Sequence, residues 1–367
     1  MSRMTEIEFE VLSEWAWAIR ELPSSVEGLF IDDDKIIAGD KEGAIVCWNH
    51  EGEVLWKQDV GNRVENFVLT KKSNSANLFL VAGLEVIGLN SESGDIIWRA
   101  ELEGISDWVT IDEKNDQVVA TSSVFDLEYY DFIEGACWRF TFEGELLDTH
   151  KMDEKTWHLY SNNNEVLLGL SRPRNGILML QKDKYKHLEI EDSPICCGYK
   201  NIFGHSNGSI STFKKGKVTN QKICDSAISA ITIQNDKMLI SNQAGQLYCN
   251  KKGNTMWEHY AEDVLSLLIN VKSTDLELVF TSTRNDDGST LFLLNSNDGT
   301  QILTSKSECS IRTSKGNGNM LLLGMDNGKI IIFEMDLLLR RFNQKNDSNE
   351  IDEGRKKMLD KLRNLRK

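Results

Sequence analysis

One pattern recurs along most of this chain: a short apolar run, a turn that contains glycine, and a second apolar run. Six copies are clear, and their turns contain Gly43, Gly176, Gly208, Gly245, Gly288 and Gly328. Two apolar runs joined in this way indicate a β-hairpin, because glycine adopts a positive φ at little cost. Seven intervals of about 40 residues fit between the first and the last of these turns, and about 40 residues is the length of one propeller blade.

Two interior repeats lack the glycine, and their hairpins are predicted at Phe79–Leu89 and Val118–Tyr130. Any one hairpin could belong to an ordinary β-meander, but near-regular spacing along the chain favours a closed repeat. The sequence therefore predicts an all-β fold, a single β-propeller of about eight four-stranded blades over residues 1–342. Seven blades is the alternative count, and a short helical extension is expected at the C-terminal end.

A second signature is a turn glycine followed four residues later by tryptophan. The complete pairs are Gly52 with Trp56, Gly94 with Trp98, and Gly253 with Trp257, and two similar turns at Gly144 and Gly299 carry Asp148 and Leu303 in the tryptophan place. An indole at the same place in successive blades can wedge between neighbouring sheets and bury its large apolar area. Scattered core tryptophans are the alternative, but the shared spacing favours a blade-docking role for Trp56, Trp98 and Trp257.

The best copy of this signature is LNSESGDIIW, residues 89–98, and LNSNDG, residues 294–299, is a second copy without the tryptophan. These segments resemble the repeat of the pyrroloquinoline-quinone-like propeller superfamily, and the resemblance covers residues 8–342 as architecture. WD-repeats instead alternate Gly-His and Trp-Asp pairs, and here Gly-His occurs once, at Gly204-His205, while Trp-Asp does not occur. The resemblance implies a quinoprotein-like or WD-repeat-like propeller, a group that includes both enzymes and organisers of protein assemblies.

The last repeat, residues 310–333, supplies about three strands before the chain becomes helical at 335–342. Its missing outer strand is predicted from residues 12–19, pairing around Lys329 to Phe333, because such pairing removes an open sheet edge. An N-terminal helix is the rival interpretation, since EWAWAIREL also fits a helical pattern.

Propellers place the first strand of each blade at the central channel. Aligning the blade starts gives one candidate channel-lining column: Glu27, Glu65, Ser106, Trp157, Cys196, Ser229, Ser266 and Arg312. Adjacent glutamates could hold a cation, because hard cations prefer oxygen ligands. A solvated channel wall without ligand is the favoured alternative, and we predict no metal site here.

Cys196 and Cys197 are adjacent. The superfamily that this repeat resembles includes quinoprotein dehydrogenases, in which a disulfide between adjacent cysteines packs on the cofactor. Only the dipeptide matches, and neither the Asp base nor the calcium ligands of those enzymes can be placed. Two free thiols are therefore the preferred interpretation, and no cofactor is predicted. Phosphate-loop, nucleophile-elbow and zinc-protease motifs are missing from the sequence, so it indicates no enzyme.

After Phe342 the composition changes. Residues 343–349 are polar and predict a linker, and residues 350–367, here called the C-terminal arm, predict a basic amphipathic helix. Its apolar positions are Ile351, Met358, Leu359, Leu362 and Leu365. Between Gly354 and Lys367 there are seven basic residues and one acidic residue. Such a helix suggests a docking peptide for another protein or for the propeller's own acidic face, and a disordered tail is the alternative. Attachment to a membrane surface is less favoured, because the apolar face has no Trp or Phe.

The formal net charge is −15, which disfavours binding to nucleic acid because phosphates would be repelled. Seven cysteines without a CxxC pair argue against a disulfide framework or a zinc ribbon. With no stretch resembling a signal peptide or a membrane span, a cytoplasmic location is expected. The sequence thus predicts a non-enzymatic protein-interaction scaffold. The alternative is a small-molecule sensor or quinoprotein-type enzyme at the channel mouth.

Overall fold

The computed structural model describes residues 6–73, 75–162, 164–190, 193–284 and 288–345. In this part of the chain, 32 strands form eight four-stranded antiparallel sheets. The predicted all-β propeller is confirmed, and the blade count is eight. The chain first forms helix α1 (Phe9–Glu14) and strand β1 (Ala18–Glu21), and then builds the blades in order.

Blades 1 to 4 each consist of four consecutive strands. Blade 1 contains β2 (Val26–Ile31), β3 (Lys35–Asp40), β4 (Ala44–Asn49) and β5 (Val54–Asp59). Blade 2 contains β6 (Val64–Leu69), β7 (Leu78–Ala82), β8 (Glu85–Leu89) and β9 (Ile96–Glu101). Blade 3 contains β10 (Ile105–Asp112), β11 (Gln117–Asp126), β12 (Asp131–Thr141) and β13 (Leu146–Met152). Blade 4 contains β14 (Thr156–Ser161), β15 (Val166–Leu170), β16 (Gly176–Gln181) and β17 (Lys184–Leu188).

Blades 5 to 7 repeat this arrangement, and blade 8 takes its fourth strand from the N-terminal end. Blade 5 contains β18 (Ile195–Tyr199), β19 (Ile202–His205), β20 (Ser209–Lys214) and β21 (Lys217–Lys222). Blade 6 contains β22 (Ile228–Gln234), β23 (Lys237–Asn242), β24 (Gln246–Lys251) and β25 (Asn254–Tyr260). Blade 7 contains β26 (Leu265–Lys272), β27 (Glu277–Thr283), β28 (Ser289–Asn295) and β29 (Gln301–Ser307). Blade 8 contains β30 (Ile311–Asn317), β31 (Met320–Met325), β32 (Lys329–Glu334) and β1.

The second and third strands of a blade are near-continuous apolar runs because each sheet is covered on both faces by its neighbours. Every residue of β7 and of β15 is buried. One core cluster illustrates the principle: Ile37 and Ile45 of blade 1 pack with Leu78 and Ile87 of blade 2. Fourth strands such as β5 lie at the periphery and are partly exposed. Each first strand contacts the first strands of both neighbouring blades, which closes the inner ring.

Blade 8 is closed by the N-terminal strand. Ala18 pairs with Ile332 and Glu21 with Lys329, in antiparallel register. The prediction placed this strand too early, because residues 9–14 form α1 and only the four residues of β1 pair. Both rival interpretations of this segment therefore describe part of it. The apolar residues before the strand have another use: Leu12 is buried in the core cluster of blades 7 and 8.

A second helix, α2, covers residues 335–345. Its Phe342 ring meets Trp15 edge to face at 6.5 Å, and Arg341 donates a hydrogen bond to the carbonyl of Glu14. The expected C-terminal helical extension is confirmed, but the predicted linker is wrong at its start, because residues 343–345 continue the helix. The remainder of the linker and the C-terminal arm lie outside the described residues. Among the described helical segments, none has the length and apolarity to cross a bilayer.

Candidate functional site

The first strand of every blade contains a β-bulge near its start, where one residue has no partner on the second strand. The bulge residues are Glu27, Glu65, Asp107, Trp157, Cys196, Ser229, Ser266 and Arg312. They repeat at one end of the propeller, which we call the bulge end. The turns between second and third strands lie at the same end, because the first strand starts where the second strand finishes.

Seven of the eight predicted channel-lining residues occupy bulge positions, and blade 3 is the exception. There the unpaired residue is Asp107, and Ser106 lies one position earlier. An apolar residue precedes the bulge in most blades, but in blade 3 this position is Ser106 and the apolar Ile105 lies one residue earlier. In the structure Ile105 is 50% exposed and Ser106 is 1% exposed. Ser106 tolerates this burial because its hydroxyl donates to the carbonyl of Gly83 at 3.0 Å.

Charged bulge residues form a connected network across blades 8, 1 and 2. Glu27 accepts hydrogen bonds from Arg63 at 2.8 Å, and Arg312 lies 3.3 Å from the same carboxylate. Arg63 also lies 3.3 Å from Glu65. The network leaves Glu27 almost buried but opposed by two guanidinium groups, an arrangement that offsets the cost of removing its charge from water.

Asp107, on blade 3, forms a second ion pair with Lys155 of the loop that enters blade 4. Its Oδ1 also accepts from Ser123 at 3.1 Å. Burial raises the pKa of Asp107, and the Lys155 ammonium opposes that shift. Burial likewise raises the pKa of Glu65, with Arg63 opposing it and the Asp107 charge adding to it. The raised pKa values of these two carboxyl groups identify blades 2 and 3 as the electrostatically perturbed part of the bulge end.

Blades 5 to 7 instead carry small, neutral bulge residues, two of which join neighbouring blades. The Cys196 thiol donates to the carbonyl of Ile228 in blade 6 at 3.0 Å. The Ser229 hydroxyl donates to the carbonyl of Leu265 in blade 7 at 2.6 Å. Ser266 donates to Ser282 within its own blade at 3.4 Å. The side chains of these residues are thus engaged in packing and hydrogen bonds between strands.

Cys196 and Cys197 are both free thiols. The hydrogen bond to Cys196 and burial raise the pKa of Cys197, which keeps it protonated. Cys197 packs against Gly204, where a Cβ would lie 2.7 Å from its sulfur. Within the described ranges, no group of three or more His, Cys, Asp or Glu side chains could hold a metal ion. The described residues around this cysteine pair therefore offer no carboxylate cluster for a calcium ion such as the one in quinoprotein dehydrogenases.

The three signature tryptophans each lie against a turn glycine of the next blade. Trp56 packs on Gly94, Trp98 on Gly144, and Trp257 on Gly299. Each indole N–H donates to a backbone carbonyl of that next blade: Ser91 at 2.9 Å, Phe142 at 2.8 Å and Ser296 at 3.1 Å. Trp56 is only 6% exposed, and the other two are half-buried. A turn glycine without its own tryptophan, as at 144 and 299, thus serves the tryptophan of the preceding blade.

The hairpin of blade 3 differs from the others and was predicted with the wrong limits. The sequence predicts both strands of this hairpin within residues 118–130, whereas β11 and β12 extend from Gln117 to Thr141. These strands have 10 and 11 residues, and the second and third strands of the other blades have four to seven. The apolar residues that suggested a second strand lie at the turn. We call residues 124–134 the blade 3 tip; it projects beyond the bulge of β10.

A cleft of about 450 Å³ lies beside the base of the blade 3 tip. Its charged lining residues are Glu103, Glu134, Lys151, Asp153 and Arg174. Lys151 is paired with Glu103 at 2.6 Å, and Arg174 is paired with the fully buried Glu154 at 3.0 Å. Both cations are therefore already neutralised by carboxylates of the same region. No sequence pattern indicates this cleft, because its residues come from three strands of blade 3 and from three loops.

A family model described as outer membrane protein assembly factor BamB matches residues 14–128, less than half of the chain. No curated protein sequence matches the chain. Solved structures with a similar fold include BamB from Moraxella catarrhalis, which is 13% identical with a TM-score of 0.64 and is aligned over 86% of this chain and 96% of its own. Sqt1 of Saccharomyces cerevisiae is 11% identical with a TM-score of 0.67, over 87% and 98%. The C-terminal WD40 domain of Sif2 is 10% identical with a TM-score of 0.66, over 86% and 97%.

These structural similarities show a β-propeller fold. The family match over residues 14–128 agrees with the resemblance of the glycine and tryptophan repeats to pyrroloquinoline-quinone-like propellers.

Proposed function

We propose that this protein is a non-enzymatic scaffold that binds other proteins through a propeller face and through the C-terminal arm. The observation that carries the proposal is the blade 3 tip, where large apolar side chains stand exposed on one face of a rigid ring. Contiguous exposed apolar surface is typical of protein-binding sites. The similar propellers, of the BamB and WD40 types, are consistent with a role in protein interaction.

We place the scaffold in the cytoplasm. All seven cysteines lie among the described residues as free thiols, three of them fully buried. Burial raises the pKa of Cys47 and of Cys137 to about 12, which keeps both protonated and unreactive. Thiols persist in a reducing compartment, whereas exported domains commonly pair them.

A small-molecule sensor or quinoprotein-type enzyme at the channel mouth is the second candidate. The raised pKa values of Glu65 and Asp107 favour it, because perturbed carboxyls cluster at functional sites. Each of the two carboxylates faces a cation, however, as structural ion pairs do. The scaffold explains the exposed tip as well as the paired charges, and we therefore prefer it.

The scaffold proposal is tested by quantitative affinity capture from cells of the source organism. The baits are the full chain, a chain that ends at Asn346, and an unrelated eight-bladed propeller as the control. We expect the full chain to enrich a specific set of proteins over the control. Partners lost on truncation would be assigned to the C-terminal arm, and partners retained would be assigned to the propeller faces. Equal recovery by the full chain and the control propeller would refute the scaffold.

A further inference from the structure

The blade 3 tip holds the three most exposed large apolar side chains of the described residues. Leu127 is 81% exposed, Tyr129 is 75% exposed and Tyr130 is 84% exposed. Ile133 and, in the adjoining strand of blade 4, Trp157 add partly exposed apolar area. Single exposed apolar residues are common and need no explanation, but a group at the end of one projecting hairpin indicates a contact surface.

The tip is an ordered platform. Asp126 closes the turn by accepting hydrogen bonds from the backbone N–H groups of Glu128 at 2.6 Å and Tyr129 at 3.1 Å. Below the turn, the Phe125 ring lies edge to face against Phe132 at 5.1 Å. An ordered surface loses less conformational entropy when a partner binds, which favours affinity.

Blade 4 supports the tip from the side. Arg172 forms an ion pair with Asp131 at 2.9 Å. The Lys155 ammonium lies 3.9 Å from the centre of the Phe132 ring, and that ring meets Trp157 edge to face at 6.1 Å. The tip is therefore fixed to two blades, and its outer side chains are held in place away from the propeller body.

Tyr130 has a positive φ of 55°. A left-handed backbone suits glycine or asparagine and is strained for a bulky side chain. A tyrosine here keeps a large side chain 84% exposed at the turn of the tip, where a glycine would relieve the backbone. Strain of this kind tends to occur at functional positions, which is consistent with a role for the Tyr130 ring in contact.

The electrostatic character of the tip selects the kind of partner. Residues 124–134 contain Asp126, Glu128, Asp131 and Glu134 and no lysine or arginine. Asp126 is used in the turn and Asp131 is paired, whereas Glu128 and Glu134 are exposed. Glu134 also lines the cleft beside the tip, together with Asp153, and both cations of that cleft are already paired. The surface thus combines apolar area with uncompensated negative charge.

We propose that the blade 3 tip and its cleft bind a basic, amphipathic segment of a partner protein. Apolar side chains of that segment would cover Leu127, Tyr129 and Tyr130, and its lysine or arginine side chains would meet Glu128 and Glu134. This inference rests on the proposed scaffold function and specifies its surface. An anionic membrane surface would be repelled by the same carboxylates, and a second copy of the tip would bring like charges together.

The probe is a fluorescent 16-residue synthetic peptide of leucine and lysine in amphipathic order, titrated with the full-length protein at about 0.15 M ionic strength. Two control peptides replace every lysine by glutamate or every leucine by serine. We expect saturable binding of the leucine–lysine peptide by fluorescence anisotropy. Both control peptides should bind at least about tenfold more weakly, because each loses one of the two complementary features.

Paired variants locate the binding site. Leu127→Ser/Tyr129→Ser/Tyr130→Ser should weaken binding by about tenfold or more, since large apolar contacts dominate such interfaces. The matched triple, Leu55→Ser/Met256→Ser/Tyr260→Ser, changes exposed apolar residues elsewhere and should have little effect. In the same way, Glu128→Gln/Glu134→Gln should weaken binding, and Glu143→Gln/Glu145→Gln at the opposite end of blade 3 should not. The side chains at all ten positions are exposed, so equal melting temperatures serve as the folding check.

The remaining outcomes overturn the inference. The inference fails if the peptide does not bind, or if both triple variants weaken its binding equally. It also fails if the tip binds phosphatidylserine vesicles but not the peptide, or if sedimentation velocity shows a dimer that depends on the tip. If the Leu127→Ser/Tyr129→Ser/Tyr130→Ser variant, used as bait, captures the same partners as the unmodified chain, the scaffold stands and only the assignment of binding to the tip fails. If affinity capture enriches nothing while the peptide binds the tip, the acidic surface is real and the scaffold fails.

Discussion

The junction between blades 1 and 2 and the junction between blades 5 and 6 are built on the same turn but are held together differently. In the first, Gln58 donates to the carbonyl of Gly94 at 3.0 Å; in the second, Gln221 donates to the carbonyl of Gly253 at 3.5 Å. Trp56, two residues before Gln58, covers Gly94. Thr219 occupies the same place relative to Gln221, and a Cβ added to Gly253 would have no neighbouring atom within 4 Å.

The inner sides of the two junctions differ as well. Blades 1 and 2 are joined by the ion pair of Glu27 and Arg63, whereas blades 5 and 6 are joined by the hydrogen bond from Cys196 to Ile228.

The turn glycine is common to both junctions. Gly94 and Gly253 both have a positive φ, so the backbone path requires glycine at each turn. The tryptophan is a separate addition that locks the periphery of some junctions and not of others.

Removal of Trp56 should have the largest effect on this contrast. Trp56→Ala deletes a buried indole and its hydrogen bond to Ser91, so we expect a loss of about 3–5 kcal/mol in the free energy of unfolding. Arg20 lies on the equivalent glycine, Gly52, at the junction of blades 8 and 1, and its side chain is more exposed. Arg20→Ala should therefore cost less than about 1 kcal/mol. Urea unfolding measures both, and equal losses would show that the indole has no special role in docking.

Alanine at the two turn glycines should separate backbone strain from packing. Both Gly94→Ala and Gly253→Ala place a Cβ at positive φ, which costs about 1–2 kcal/mol in each case. Only at Gly94 would the Cβ also meet Trp56, at 2.6 Å, and overpacking adds about 1–3 kcal/mol. The difference between the two urea midpoints is the quantity of interest. A larger loss at Gly253 would contradict the proposed geometry.

The sequence was informative where a residue type has one dominant physical role. Turn glycines and four-residue glycine–tryptophan spacings indicated the blades, and the spacing of the turn glycines gave the count of eight. The missing outer strand of the last repeat indicated an N-terminal closing strand, although only residues 18–21 pair. The sequence failed where burial overrode type. Ser106 occupies a buried position that six of the other blades give to valine, isoleucine or leucine, whereas Ile105 beside it is exposed. The blade 3 tip was mistaken for a strand because exposed aromatic residues at a turn have the composition of a β-strand.

The charged inner side of blades 1 and 2 predicts a smaller, pH-dependent effect. Burial raises the folded-state pKa of Glu65 above its unfolded value. As the pH falls through the folded pKa, the native state binds a proton before the unfolded state does, so this residue becomes more favourable to folding. We therefore expect the free energy of unfolding of wild type, relative to that of Glu65→Gln, to increase as the pH is lowered from 7 to 4. Glu143→Gln, at an exposed turn, should track wild type. If the free energy of unfolding changes with pH in the same way for all three proteins, the pKa of Glu65 is not raised in the folded state.

The thiol junction of blades 5 and 6 should show the smallest effect of all. Serine can keep the hydrogen bond that Cys196 donates to Ile228, so Cys196→Ser should leave the unfolding midpoint nearly unchanged.

Cys197 is packed against Gly204 and is not positioned beside any carboxylate cluster in the described ranges. Purified protein incubated with pyrroloquinoline quinone and calcium should therefore show no saturable binding by calorimetry and no oxidation of alcohols or sugars. Micromolar quinone binding that disappears in Cys196→Ser or Cys197→Ser would reverse the preference for a scaffold. It would also make this junction, rather than the blade 3 tip, the functional part of the propeller.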